Sequence, residues 1–312
     1  MSLTITVVLS TFNGEKYIYE QLESLRMQTK RPDEVIICDD CSIDQTVKIV
    51  QEYISKNKLQ NWRLIINEKN KGWKSNFINL VSIAKGDIVF TCDQDDIWIK
   101  NKLETMEHIM DMDRKINVLV SYLIEKHENG KERIYPHKGD GRIIKIPITK
   151  NFMNVKYPGC TYCIRTSFAH KCNKYWKPSI PHDGLYWRLS MFDESLYELR
   201  KPLIIQRKHS DSTFAREAIS SRNIDSKIEE IRYTGDMIDT IQKMLEESGN
   251  NKKAVDILDK ALKWNNVRYE FLSKRKLLNS IELLLYLPFY QTGKRYILDI
   301  LLVTLNKTRG SN

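Results

Sequence analysis

Three carboxylates fall within four residues in Cys92-Asp93-Gln94-Asp95-Asp96-Ile97-Trp98, directly after an apolar run that begins at Asp87. Carboxylates held this close repel one another and raise each other's pKa unless a cation neutralises them. A hard divalent ion, Mg²⁺ or Mn²⁺, suits such oxygen ligands and keeps positions open for phosphate oxygens. A solvated acidic turn is the plain alternative, because a lone Asp-x-Asp is common. Two further polar clusters also follow apolar runs: Ser10-Thr11-Phe12-Asn13, and Cys38-Asp39-Asp40-Cys41-Ser42. An aromatic ring for stacking (Phe12), a carboxylate for base or ribose hydrogen bonds (Asp40) and a cation site for a diphosphate together describe a nucleotide-sugar pocket.

These clusters need elements that bring them to one edge. Leu3 to Leu9 is β-branched and continuously apolar, as a strand covered on both faces should be. Asn13 and Gly14 are expected to open a helix over 15–28, with Tyr17, Ile18, Leu22 and Leu25 on its inner face. Strands over 34–38, 62–66 and 87–92 alternate with helices over 45–56, where Ser42 or Asp44 can cap, and over 75–84. That cadence predicts an α/β fold with a mostly parallel sheet and right-handed crossovers. Ligands bind such sheets at the carboxyl ends of their strands. Past residue 116, the runs 117–125 and 131–135 flank Asn129-Gly130, a hairpin signal that adds antiparallel strands. After 220 the pattern is helical: Ile224, Ile228, Ile231, Ile238, Ile241 and Leu245 recur at near-heptad steps, and a second helix is expected over 252–272.

Charge narrows the function classes. The 312 residues carry a net charge of +10. Residues 1–110 hold 14 basic and 16 acidic groups (−2), 111–219 hold 20 and 12 (+8), and 220–312 hold 16 and 12 (+4). An acidic first third and a basic remainder suggest one segment that holds a cation and others that face an anion. A nucleic-acid-binding protein is the rival class, but no helix carries a dense basic stripe with stacking aromatics. Gly72-Trp-Lys74-Ser75 lacks the first glycine of a phosphate loop, since position 67 is Asn. Nothing near Met1 reads as a signal peptide and no run approaches the ~20 apolar residues of a membrane span, so a cytoplasmic protein is expected. Its six cysteines should then be reduced thiols. Cys38-x-x-Cys41 and Cys160-x-x-Cys163 could supply zinc thiolates, but their separation is far from that of a compact zinc ribbon, and ordinary buried cysteines are the expectation.

The ordered motifs Ser-Thr-Phe-Asn-Gly-Glu-Lys-Tyr, Ile-Ile-Cys-Asp-Asp-Cys-Ser, Asn67 to Asn76 with Lys71-Gly72, Ala84-Lys-Gly-Asp87 and Asp-Gln-Asp-Asp-Ile-Trp resemble the inverting family 2 glycosyltransferases of GT-A fold. Pro158-Gly-Cys-Thr161, His182-Asp183 with Trp187, and Pro202-Leu-Ile with Arg207-Lys208-His209 continue the resemblance to about residue 215. The Asp-Gln-Asp-Asp-Ile-Trp form is similar to the rhamnosyltransferase-like branch of bacterial surface-polysaccharide synthesis. The resemblance implies a GT-A domain over 1–215, with a nucleotide-sugar half (1–115) and an acceptor half (116–215), followed by a helical region over 216–312. It implies that Ser10, Phe12, Asn13, Asp40 and Asp93 hold the nucleotide sugar, that Asp95 and His209 approach a Mg²⁺ or Mn²⁺ ion, and that Arg207 and Lys208 approach the diphosphate. Asp183 takes the place of the catalytic base; without the family, a helix N-cap would be the simpler reading of it. Two departures stand out: Cys41 replaces a common glycine, and Gly-Leu-Tyr follows Asp183 in place of a bulkier aromatic run.

Implied partners are a nucleotide-sugar donor, with dTDP-rhamnose favoured over UDP-sugars, and a saccharide or lipid-diphosphate-linked saccharide acceptor, with no nucleic acid. An inactive sugar-binding relative is the alternative. The apolar stretch 277–290, which carries Glu282 and Pro288, is too short to span a bilayer, and it and the apolar run 297–305 are expected to pack on protein or to lie at a membrane surface.

Overall fold

Strand β1 (Ile5–Thr11) forms from the first β-branched run, and all but one of its residues are buried, which fits a strand with helices on both faces. A computed structural model of the chain describes residues 2–208, 223–249 and 251–305. These fall into two compact units, 2–146 with 156–208, and 147–155 with 223–305.

In the first unit β1 is followed by α1 (Ile18–Arg26), β2 (Glu34–Asp39), α2 (Thr46–Lys56), β3 (Trp62–Ile66), α3 (Trp73–Ser82) and β4 (Ile88–Asp93). The strands β3, β2, β1 and β4 lie side by side and parallel. Helix α1 starts later than expected because Asn13 does not cap it. Asn13 takes φ 47° and turns its Oδ1 to the N–H of Ile43, while a turn on the Gly14 carbonyl precedes the helix. Neither Ser42 nor Asp44 is the N-cap of α2, which is Gln45; Asp44 stands one residue earlier and accepts from the N–H of Thr46 at 2.9 Å.

Beyond β4 come β5 (Ile97–Trp98), α4 (Lys102–Met112), β6 (Val118–His127), β7 (Glu132–Tyr135) and β8 (Ile143–Lys145). A 3₁₀ turn (Gly159–Thr161) then leads into β9 (Tyr162–Arg165), α5 (Thr166–Asn173), α6 (His182–Phe192) and β10 (Leu196–Lys208). The β6–β7 hairpin and the β4–β9 and β6–β9 ladders are antiparallel, as expected past residue 116. The long β6–β10 ladder is instead parallel, so the sheet is mixed, with the order β3-β2-β1-β4-β9-β6-β10-β5. Its register slips around Pro202, which has no N–H to give to a ladder. One core beneath the sheet joins Val7, Leu9, Leu22, Val35, Ile37, Phe90, Leu103 and Leu119.

The second unit holds α7 (Ile224–Ser248), α8 (Lys252–Lys274), α9 (Asn279–Leu284), a 3₁₀ turn (Leu287–Phe289) and α10 (Gly293–Leu305). Asn223 caps α7 through a reciprocal box with Ser226, and Asn251 caps α8. Ile231, Ile238, Ile241 and Leu245 are buried as their spacing predicts, while Ile224 and Ile228 are half-buried; Leu258, Ala261 and Trp264 of α8 are buried too. Arg268 is wholly buried and forks onto Asp299 at 2.6 and 3.2 Å. No helix among the described residues is long and apolar enough to cross a membrane.

Candidate active site

The register of the parallel strands sets the site. Ser10 lies opposite Cys38 of β2 on one side and Asp93 of β4 on the other, so the three polar strand ends share one edge. Asp39 braces this edge from within: it accepts from Thr11 Oγ1 at 2.9 Å and from the N–H and hydroxyl of Ser42 at 2.8 and 2.6 Å. The turn needs a left-handed residue after Asp40, and Cys41 supplies it at φ 68°, so the loss of the usual glycine leaves the turn intact.

Asp40 is buried and fully engaged. Its oxygens accept from the N–H groups of Lys71 and Gly72, both at 2.8 Å, and from Asn67 Nδ2 at 2.9 Å. Asn67 also donates to Asn76 Oδ1, and Asn76 Nδ2 reaches Ser10 Oγ at 3.4 Å. Ser10 and Asp40 are thus two ends of one hydrogen-bonded chain through two amides. Phe12 is 43% exposed, free to offer a ring face. Its backbone is clasped by Gln94, whose Oε1 accepts from Phe12 N and whose Nε2 donates to Phe12 O. A Cβ on Gly14 would sit 2.2 Å from Gln94 Oε1, so the glycine makes room for this clasp.

The acidic centre is built from β4 and the turn after it. Burial first, then the charges of Asp95 and Asp183, push the carboxyl of Asp93 up to about 7. This brings together three of the carboxylates singled out in the sequence. Asp183 lies in the first turn of α6, where its Oδ1 accepts from Gly184 N; the N-cap is Pro181, so Asp183 does not cap the helix. Asp96 is more deeply buried, with Oδ2 unpartnered among the described residues, and burial with Asp93 and Asp95 raises its pKa well above the carboxylate range. Ligand atoms of Asp93, Asp96 and Cys160 lie within 4.8 Å of one another. The Cys160 thiol is held protonated by burial and by those carboxylates, which makes it a poor ligand. An orphaned carboxylate oxygen in a crowded acidic group therefore fits a hard divalent cation taken by oxygen ligands.

Lys102 is the cation behind this group. It is wholly buried, its Nζ donates to Cys160 O at 2.6 Å and lies 3.6 Å above the Trp98 ring. Burial lowers its pKa to about 8, opposed by nearby thiols and Asp96. On β10 the two expected cations part company. Arg207 Nη1 reaches Asp95 O at 3.3 Å, and its guanidinium covers the Tyr17 ring and pairs with Glu20. Lys208, on the alternate face of the strand, pairs with Glu125 at 3.5 Å. His209 lies outside the described residues. Sequence reasoning assigned no individual role to Gln94, Asn67, Asn76, Asp96 or Lys102; the first four lie within the quoted motifs, and Lys102 alone carried no signal.

The Glycosyl transferase family 2 profile matches residues 6–177, more than half of the chain. The chain belongs to this family. Among its relatives, the UDP-Glc:alpha-D-GlcNAc-diphosphoundecaprenol beta-1,3-glucosyltransferase WfaP of Escherichia coli is 32% identical over 124 residues, 39% of this chain and 47% of that protein. The dTDP-rhamnosyl transferase RfbG of Shigella flexneri is 27% identical over 219 residues, 65% of this chain and 72% of that one. The first mycobacterial relatives are matched over only 34% of their own length. The structure of Staphylococcus aureus TarS 1–349 in complex with UDP-GlcNAc superposes with a TM-score of 0.61 at 20% identity, covering 98% of this chain and 92% of that one. The mixed sheet flanked by helices, followed by further helices, is therefore a GT-A-like fold.

Proposed function

We propose that the protein transfers a sugar, with inversion, from a nucleotide-diphosphate donor to a hydroxyl of a saccharide acceptor carried on a lipid diphosphate, in bacterial cell-surface polysaccharide synthesis. The GT-A domain over 1–215 would do this at the cytoplasmic face, with the helical region 216–312 appended. The observation that carries the reading is that Asp95 and Asp183 both lie close enough to Asp93 to push its carboxyl up, at the carboxyl ends of the parallel strands β1, β2 and β4 and beside an exposed aromatic ring. The printed names of RfbG and WfaP support dTDP-rhamnose or a UDP-sugar as donor, and that of WfaP supports a lipid-diphosphate-linked acceptor.

In this account Phe12 stacks on the base, while Ser10, Asn13 and Asp40, with the loop it fastens, orient the nucleoside. The acceptor hydroxyl attacks the anomeric carbon, the bond from that carbon to the diphosphate oxygen breaks, and the hydroxyl proton passes to the carboxylate of Asp183. One displacement inverts the centre. Asp95, with Asp93, would hold a Mg²⁺ or Mn²⁺ ion, which supplies charge neutralisation for the leaving diphosphate. Arg207, whose guanidinium reaches the backbone of Asp95, adds positive charge at that end of the donor.

Transfer onto a synthetic lipid-diphosphate-linked saccharide, followed by mass spectrometry with dTDP-rhamnose and UDP-sugars, tests this. Asp183→Asn should lose transfer yet bind donor; transfer undiminished in that variant would overturn the role given to Asp183.

A further inference from the structure

We infer that the helical stretch 276–286 of the second unit docks on an anionic lipid surface by inserting its aliphatic side chains among the headgroups. The proposal deepens the lipid-linked-acceptor reading, since such an acceptor is presented at a membrane. Turn hydrogen bonds from Asn279 N to Lys276 O and from Tyr286 N to Leu283 O extend α9 in both directions. Along it Leu278 (81% exposed), Ile281 (66%) and Leu285 (79%) recur at i, i+3 and i+7, and Leu284 is 48% exposed beside them. This spacing puts them on one helical face. Tyr296 of α10 ties its hydroxyl to Ser280 O, and α10 adds the exposed pair Ile297 and Leu301 at i and i+4.

Charge and composition select the occupant. Lys274, Arg275 and Lys276 precede the stripe, and Glu270 pairs with the two lysines at 3.1 and 2.9 Å; three cations less one anion leave +2 at its border. Lys294 is exposed at the start of α10, and Glu282 is the single carboxylate between 276 and 290. A strongly apolar face with basic flanks is the pattern of an interfacial helix attracted to anionic lipid. Protein interface cores favour aromatic residues and arginine, whereas the exposed large apolar side chains of 276–286 are all leucine and isoleucine.

The test sediments the full chain with vesicles of phosphatidylglycerol and phosphatidylcholine in equal parts, and with phosphatidylcholine alone. The chain should sediment with the anionic vesicles, and more weakly at high salt. A Leu278→Glu, Ile281→Glu, Leu285→Glu variant should partition at least about tenfold less. Leu285→Trp, a mild change at an exposed position, should gain fluorescence quenching by brominated lipids relative to the parent. A parent chain that stays in the supernatant, an unquenched Leu285→Trp variant, or a parent dimer that the glutamates dissociate would each overturn the proposal. Thermal stabilisation by nucleotide sugars, measured on the same proteins, reports separately on the transferase reading.

Discussion

A neutral imidazole packed between Phe77 and Gly159 stands one residue before the carboxylate proposed to take the acceptor's proton. The His182 ring stacks on Phe77 at 4.0 Å, and neither nitrogen has a partner among the described residues. Burial lowers its pKa from 6.5 to about 4. The folded state thus disfavours the proton that the unfolded chain accepts. The stability this contributes is complete above pH 6.5 and is lost as pH falls towards 4. His182→Gln should flatten that window in urea titrations across pH; an unchanged slope would contradict the assignment. A Cβ on Gly159 would lie 2.3 Å from His182 Nε2, so Gly159→Ala should destabilise by ~1–3 kcal/mol, with non-additive coupling to His182→Ala in a double-mutant cycle. Asp93, Asp95 and Asp96 were legible as a cation-site candidate because three clustered carboxylates follow an apolar run beside two other polar strand ends. Gln94 and Lys102 were not, because an amide in a turn and a lysine in a helix acquire their roles only from what folds against them.

At the scale of elements, the loop between β3 and α3 hangs on one side chain. Asp40 fastens the N–H groups of Lys71 and Gly72 at the start of α3, so Asp40→Ala leaves these part-buried donors and the buried Asn67 amide unmatched. It should cost ~1–3 kcal/mol and weaken nucleotide binding, readable by denaturant unfolding and by calorimetric titration. Preserved stability with lost binding would mean instead that Asp40 acts on the ligand alone. In the second unit, Arg268→Met would strand Asp299 without its cation and should destabilise by ~3–5 kcal/mol. Strands β1 to β4 and their helices were legible as runs and periods, since each element is local. The parallel pairing of β6 with β10 was not, because those segments meet across about seventy residues of chain and the choice between parallel and antiparallel rests on the whole sheet. The late start of α1 escaped for a related reason: Asn13 spends its side chain on Ile43, thirty residues away.

Over the whole molecule, the net charge of +10 first suggests nucleic acid, but its distribution suits a protein that concentrates carboxylates at one sheet edge and cations elsewhere. Family membership and the GT-A-like fold agree with that division, and the lipid docking proposed for 276–286 of the second unit would extend it. The acidic centre makes the strongest demand. With Asp93 pushed up to about 7 by burial and then by its carboxylate neighbours, a divalent cation and a nucleoside diphosphate should stabilise the fold together more than either does alone. Thermal unfolding of the full chain with Mn²⁺ and a panel of nucleotide sugars measures this directly. The account predicts a rise in Tm that is selective for dTDP-rhamnose or a UDP-sugar, requires Mn²⁺, disappears in Asp95→Ala and persists in Asp183→Ala. No stabilisation by any nucleotide sugar with the metal present would contradict it.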